Sequence, residues 1–314
     1  MKILLTVLFL TLLPSVFLLA QEQKKDSTAV ADTTAKEEPE VPDKPVKFSW
    51  ESQYLINQQT SKISPVKTLE FVIQHRFGSV EKGKTDLWGV YSPGANVRLG
   101  LDYVIYKRVQ IGVGITKANM TGDFNAKWNI FEQKTESMPI SVTLLGNMAI
   151  DGREKSVWDT LYYNYSDVGK FFGYKFSNRF SYFSEILIGS KLTEALTLQG
   201  GVSFSHYNTV AANMDHDIIG VHIGGRYKVS PQGAIVFNGD FPLHVKDISE
   251  GQKTNKSKSN IAFGYEISTG SHAFQIYAGT SNSLLPQDMM LNNSNKIQYK
   301  SFSLGFVITR LWSF

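Results

Sequence analysis

Charged side chains recur at alternating positions along most of this chain: Glu70, Arg76, Arg98, Asp102, Asp123, Lys127, Arg226 and Glu266. They stand in runs such as Leu69-Glu-Phe-Val-Ile-Gln-His-Arg-Phe77 and Val97-Arg-Leu-Gly-Leu-Asp-Tyr103, where the intervening positions are mostly apolar. Carboxylates and cations on one shared face can line a wet passage and select the ions that cross it, or knit into ion pairs that close it. Both signs are present in near balance, which leaves the two outcomes open. Arg76 is expected to pair with carboxylates on that face and to help form a constriction.

Other chemistry is thinly represented. The six histidines, at 75, 206, 216, 222, 244 and 272, are scattered. Met214-Asp-His-Asp217 is a weak loop-tip arrangement for a metal, because carboxylate and imidazole are suitable ligands but no fixed partner accompanies them. A barrel lipid hydrolase would set Ser and His together on the outer wall, and His206 has roughly the right parity. No Gly-x-Ser-x-Gly, no phosphate-cradling glycine loop before a helix and no His-Glu-x-x-His is present. The chain is therefore read as not an enzyme, with no cofactor and no metal, and a lipid hydrolase is kept as a remote alternative. Cysteine is absent, which removes disulfides, thiolate metal sites and thiol nucleophiles together. Lys and Arg are dispersed, so no nucleic acid partner is expected.

The elements that must position these residues read as strands. Apolar residues recur at every second position from Leu69 to the final Phe314, and no helical period competes. The pattern predicts about twelve antiparallel strands, the first near 69–77 and the last over 300–314. Long and short gaps alternate between them, except around the third and fourth strands where both gaps are modest, as tight turns and freely growing loops do on opposite ends of a transmembrane barrel. Arg179, Glu185, His222 and Asp240 fall on the polar parity as well, together with glycines at 100, 112, 114, 224, 264 and 279. These glycines would let the wall curve or leave room in a packed interior. Tyr103, Tyr106, Phe131, Tyr227, Phe241, Trp312 and Phe314 fit interfacial girdles.

Residues 1–20, apolar after Lys2, read as a secretory signal peptide. Residues 21–46 lack apolar periodicity and read as a disordered periplasmic linker. Residues 47–314 form the expected all-β, up-and-down transmembrane barrel in the outer membrane. Phe306, Ile308, Trp312 and Phe314 of the last strand form a candidate membrane-insertion signal, which implies the barrel-assembly machinery and outer-membrane lipid as partners. The loop 151–177 carries Trp158, Tyr162, Tyr163, Tyr165, Phe171, Phe172 and Tyr174, and is expected either to fold inward as a plug or to pack on itself over the rim.

Four segments carry a family resemblance: Tyr54-Leu-Ile-Asn-Gln-Gln-Thr60, Leu69-Glu-Phe-Val-Ile-Gln-His-Arg-Phe-Gly78, Ala95-Asn-Val-Arg-Leu-Gly-Leu-Asp-Tyr103 and Met138-Pro-Ile-Ser-Val-Thr-Leu-Leu-Gly146. They resemble an outer-membrane β-barrel family of Bacteroidota known as domain of unknown function fifty-seven seventy-seven. The resemblance implies the barrel and supplies no substrate or catalytic residue. Two functions stay open: a passive channel or small-solute transporter with a charged lumen, and a non-conducting structural or partner-docking barrel with an ion-paired interior.

Overall fold

The computed structural model describes residues 43–47, 49–161, 174–210, 214–246, 248 and 256–314. The expected signal peptide and residues 21–42 of the expected linker lie outside the described residues. A short hairpin, β1 (Tyr54–Leu55) and β2 (Gln58–Gln59), precedes the long strands. These are β3 (Thr68–Ser79), β4 (Asn96–Tyr106), β5 (Val109–Thr116), β6 (Thr121–Phe131), β7 (Ser141–Ile150) and β8 (Phe180–Lys191). The second half supplies β9 (Leu196–Tyr207), β10 (Asp217–Lys228), β11 (Gly233–Leu243), β12 (Asn260–Thr269), β13 (His272–Gly279) and β14 (Ser303–Ser313). Strands β3 to β14 pair antiparallel in chain order, and β14 returns to β3, so the sheet closes as a barrel of twelve strands. Closure leaves no unpaired strand edge.

The period-2 pattern acquires its meaning from the two faces. Leu99, Leu101, Tyr103 and Ile105 of β4 point outward and are exposed, whereas Asn96, Arg98 and Asp102 point inward and are buried. The same inversion holds round the wall: Ile115 is 64% and Ile276 68% exposed, while Glu70, Asn125 and Lys127 are almost wholly enclosed. A barrel with an apolar outside and a charged inside is built for a lipid surround.

Connections 107–108, 132–140, 192–195, 229–232 and 270–271 share one rim, together with the start of β3 and the end of β14. The other rim carries 80–95, 117–120, 151–179, 208–216, 244–259 and 280–302, so short turns and longer loops alternate except around β6, where the loop-rim connection 117–120 is shorter than the turn 132–140. Of the expected girdle aromatics, all but Phe241 stand near the turn rim.

The longest turn, 132–140, has its own partner. Val46 donates its amide to the Gln133 carbonyl at 2.9 Å, and Thr135 donates to the Lys44 carbonyl at 3.0 Å. The last few residues of the expected linker are thus docked to the barrel, by backbone bonds that composition does not reveal. The Ser137 hydroxyl, helped by the Ser137 and Glu136 amides and Lys134, holds the exposed Asp43 carboxyl down to about 2. A carboxyl depressed in the folded state stabilises this docking above its unfolded value and loses the contribution as pH falls through the folded one. The protection factors of the Thr135 and Ser137 amides, taken against the intrinsic exchange rate at each pH, should therefore stay high at pH 5 and fall as the pH approaches 2; unchanged protection would show that the carboxylate does not hold the segment.

Three departures from the sequence expectations concern the loop rim. Two short helices form, Lys155–Leu161 and Pro286–Asn292, where only loops were expected. The second opens on a proline, which suits a first helical turn, and buries Gln287, Met289, Met290 and Leu291 in the barrel mouth. Arg179 lies in a 3-10 turn just before β8, not on the luminal face of a strand. Its guanidinium donates to the Asp151 carbonyl at 2.8 Å and stands 5.5 Å from the Trp158 ring. Of the aromatic loop, residues 162–173 lie outside the described residues.

Candidate functional site: a filled lumen

The charged face was expected to surround a lumen, and it does, but the lumen is occupied by the chain itself. Residues 49–66 enter at the turn rim, form the β1–β2 hairpin inside the barrel, and leave at the same rim to begin β3. The hairpin turns at Ile56, whose φ of 56° is a strained value for a β-branched residue. Two wall side chains clamp that turn. Gln275 Oε1 accepts the Ile56 amide at 2.7 Å, and Gln74 Nε2 donates to the Ile56 carbonyl at 3.3 Å.

Further bonds tie the hairpin to the wall on every side. Glu70 of β3 accepts from Gln53 Nε2 at 2.6 Å and from Ser52 Oγ at 3.1 Å. Tyr54 donates its hydroxyl to Asp102 of β4 at 2.8 Å. Lys127 of β6 reaches the Thr60 carbonyl at 3.3 Å, and Gln199 of β9 donates to the Gln59 carbonyl at 3.0 Å. Gln58 donates to Asp240 of β11 at 2.8 Å. Apolar contact adds to this: Trp50, Tyr54, Leu55 and Ile56 pack with Val72, Val236, Ala262, Tyr277 and Val307.

The remaining predicted residues pair along the wall. Arg98 holds Asp123 with two parallel bonds, 2.9 Å from Nε and 2.7 Å from Nη2. Arg226 donates to Glu266 at 2.6 Å, and Gln275 completes that carboxylate at 2.8 Å. Asn125 occupies the second oxygen of Asp102 at 3.0 Å. Arg76 departs from expectation. It meets the Asn57 side-chain oxygen at 2.8 Å, the Ser281 carbonyl and the face of Tyr277, so it joins the hairpin tip to a loop-rim segment. The hairpin and the loop have taken the place that a luminal carboxylate was expected to fill.

Glycines make the room for this network. A Cβ at Gly114 would stand 2.5 Å from Arg98 Nη2 and 2.6 Å from Asp123 Oδ1, and one at Gly112 would overlap the Asp102 carboxylate. Gly114→Ala is accordingly expected to lower stability by about 1–3 kcal/mol, the usual range for overpacking. The temperature at which the folded form loses its fast gel mobility measures this; an unchanged temperature would mean that the pair shifts aside freely.

A second filling comes from the loop rim. Met290 of the helix Pro286–Asn292 packs on Ile218 and over Gly220. Between helix and hairpin lies a cavity of about 30 Å³, lined by Tyr54, Asn57, Gln59, Glu185, His222 and Met289 among others. Cavities of about 490 Å³ at the turn rim and about 400 Å³ at the loop rim open beyond it. The space between helix and hairpin has room for about one water molecule.

Ser203, His222 and Asp240 line up under the helix, with Ser203 Oγ to His222 Nε2 at 2.6 Å and His222 Nδ1 to Asp240 at 2.9 Å. Asp240 also accepts from Gln58, Asn238 and Asn260. Strand amides around Ser203 are spent in the barrel ladder, and Met290 covers Gly220 beside it. The row works as part of the hairpin's clamp. His206 bonds Asp217 at 2.7 Å and Asn208 at 2.9 Å, without a serine. His216 faces the Tyr207 carbonyl, while the neighbouring Asp215 stands 3.5 Å from His244; no group of three metal-binding side chains occurs among the described residues. Phe306 and Ile308 lie on the outer face, and His75 stacks on Phe306 at 5.0 Å. Trp312 is half-buried and Phe314 exposed at the turn rim.

Several solved structures align with most of the chain. The NanC porin aligns with 78% of this chain and 99% of its own, at 8% identity and a TM-score of 0.45. An outer membrane channel from Pseudomonas putida F1 aligns with 80% and 98%, at 13% identity and a TM-score of 0.44. The KdgM porin aligns with 79% and 99%, at 7% identity and a TM-score of 0.43. No curated protein matches the sequence. The family described as "Membrane bound beta barrel domain (DUF5777)" matches residues 50–312, and the chain belongs to that family.

Proposed function

We propose that this protein is an outer-membrane channel for small solutes, held closed by its own residues 49–66, with the N-terminal tether in the periplasm. The observation that carries this reading is the hairpin itself. Both of its ends emerge at the turn rim, so it can withdraw without threading chain through the wall. Most of its anchors are hydrogen bonds to wall groups that water can replace once the lumen floods. Withdrawal would leave Glu70, Arg98, Asp102, Asp123, Lys127, Arg226 and Glu266 facing an aqueous passage. Insertion would use the barrel-assembly machinery, with the outward Phe306 and Ile308 and the rim residues Trp312 and Phe314 as its signal, and outer-membrane lipid would cover the apolar belt.

A second reading, a permanently sealed scaffold for a docking partner, is favoured by the Arg98–Asp123 and Arg226–Glu266 pairs, which neutralise the wall without an ion. Planar-bilayer recording of the full mature chain separates the two. A channel gives rare openings whose reversal potential shifts in Asp102→Asn or Arg226→Gln. A scaffold stays silent at every voltage and in every hairpin variant.

A further inference from the structure

Loop 80–95, at the seam where β14 meets β3, is built more rigidly than a surface connection needs. After the 3-10 turn Val80–Asp86, three successive residues take left-handed values: Leu87 at φ 51°, Trp88 at φ 53° and Gly89 at φ 88°. For Leu and Trp that conformation is strained, and strain persists where surroundings over-determine it. Here they do. Trp88 donates its amide to the Gly83 carbonyl at 2.7 Å, Tyr91 to Asp86 at 3.1 Å, and Gly78 to the Gly89 carbonyl at 3.0 Å. Gly89 lies so close to Gly78 that a Cβ there would overlap its backbone.

Aromatic residues are exposed at the tip. Tyr91 is 78% and Trp88 41% exposed, and Tyr299 of the adjoining loop is 73% exposed. Val80 bonds the Phe302 carbonyl at 2.8 Å, which ties the two loops together. Lys82, Lys84 and Lys300 are exposed on the same pair of loops, with Lys300 3.8 Å from Glu81. Below them the outer face of the seam continues as Phe77, His75 and Phe306, part of the apolar belt.

We infer that this rim patch is a docking surface for lipid headgroups whose phosphate leaves them with net negative charge, in the leaflet on the long-loop side. The aromatic rings sit at headgroup depth, where amphipathic rings are favoured. The lysines meet the phosphates, as basic clusters next to a bilayer do. Continuity with the lipid-facing belt places the acyl chains against Phe77 and Phe306.

The test uses the full chain, folded in detergent, with phosphatidic acid and phosphatidylcholine competing for retention in native mass spectrometry. Phosphatidic acid should be retained at least tenfold better. Lys82→Gln/Lys84→Gln/Lys300→Gln should abolish that preference, and Trp88→Ala should weaken it severalfold, both with unchanged heat-modifiable mobility. A wild-type chain without preference overturns the inference, whatever the variants do. So does a triple variant that keeps the preference, and so does displacement of the lipid by millimolar inorganic phosphate, which would mark a site for the free anion.

Discussion

Deleting residues 49–64 is expected to turn a closed barrel into an open one, with steady conductance where the full chain shows rare openings. The wall should survive the deletion, because the twelve strands bond each other round the full circumference and the hairpin adds none of those ladders. Its removal joins the cavities at the two rims and leaves Glu70, Asp102 and Lys127 facing water in place of hairpin groups. The helix Pro286–Asn292 still narrows the loop-rim mouth, so conductance should rise again when residues 284–292 are replaced by a short Gly/Ser linker. Should the deletion fail to fold, Gln53→Ala gives a graded version. Glu70 then loses its 2.6 Å partner only in the closed state, and an unmet bond to a buried charge costs about 2 kcal/mol, or roughly thirtyfold in the closed-to-open ratio. A folded, hairpin-free barrel that seals bilayers would end the channel reading and leave the scaffold.

How much of this was visible in the sequence follows from which contacts are local. Strands and rims were legible because parity and gap length are properties of neighbouring residues: Leu99, Leu101 and Tyr103 alternate with Arg98, Gly100 and Asp102 wherever the strand ends up. The luminal placement of Glu70, Arg98, Asp102, Asp123, Lys127, Arg226 and Glu266 follows from the same parity. The hairpin was not legible. Tyr54-Leu-Ile-Asn-Gln-Gln59 is too short to show a period, and its partners, from Glu70 to Gln275, are spread over the whole chain. Its one signal is the density of amides and hydroxyls from Ser52 to Ser61, a composition able to bond to a polar wall. Arg76 was assigned a carboxylate partner for the same reason: parity tells which face a residue joins, not what else has been folded against that face. The loop helix hides because seven residues starting at a proline are too few for a 3.6-residue pattern to emerge.

The Arg98–Asp123 pair is where a single substitution should do most harm to folding. Both side chains are enclosed, at 4% and 0% exposure, and they meet in the two-bond fork that suits guanidinium and carboxylate. Asn147 donates a further bond to Asp123 at 3.2 Å, and Gln74 accepts one from Arg98 at 3.2 Å. Arg98→Met would leave the Asp123 carboxylate buried with an amide as its remaining partner, and losing one member of a buried pair costs about 3–5 kcal/mol. Asp123→Asn should cost a similar amount by stranding the guanidinium. Replacing both, as Arg98→Met with Asp123→Leu, removes the two charges together, so it should destabilise by less than either single change. Urea titration of the barrel in lipid, read by gel mobility, measures all three. The Lys191–Glu194 pair at a turn, whose carboxylate is 97% exposed, is the control: Glu194→Gln should leave the midpoint unchanged, because solvent already screens that carboxylate. If the double variant proves as unstable as the sum of the singles, the two residues act independently and the pair is not what holds β4 to β6 across β5. If it recovers, the Arg98–Asp123 pair is the coupled unit, and Gly114 between them is glycine because the pair needs the space above it.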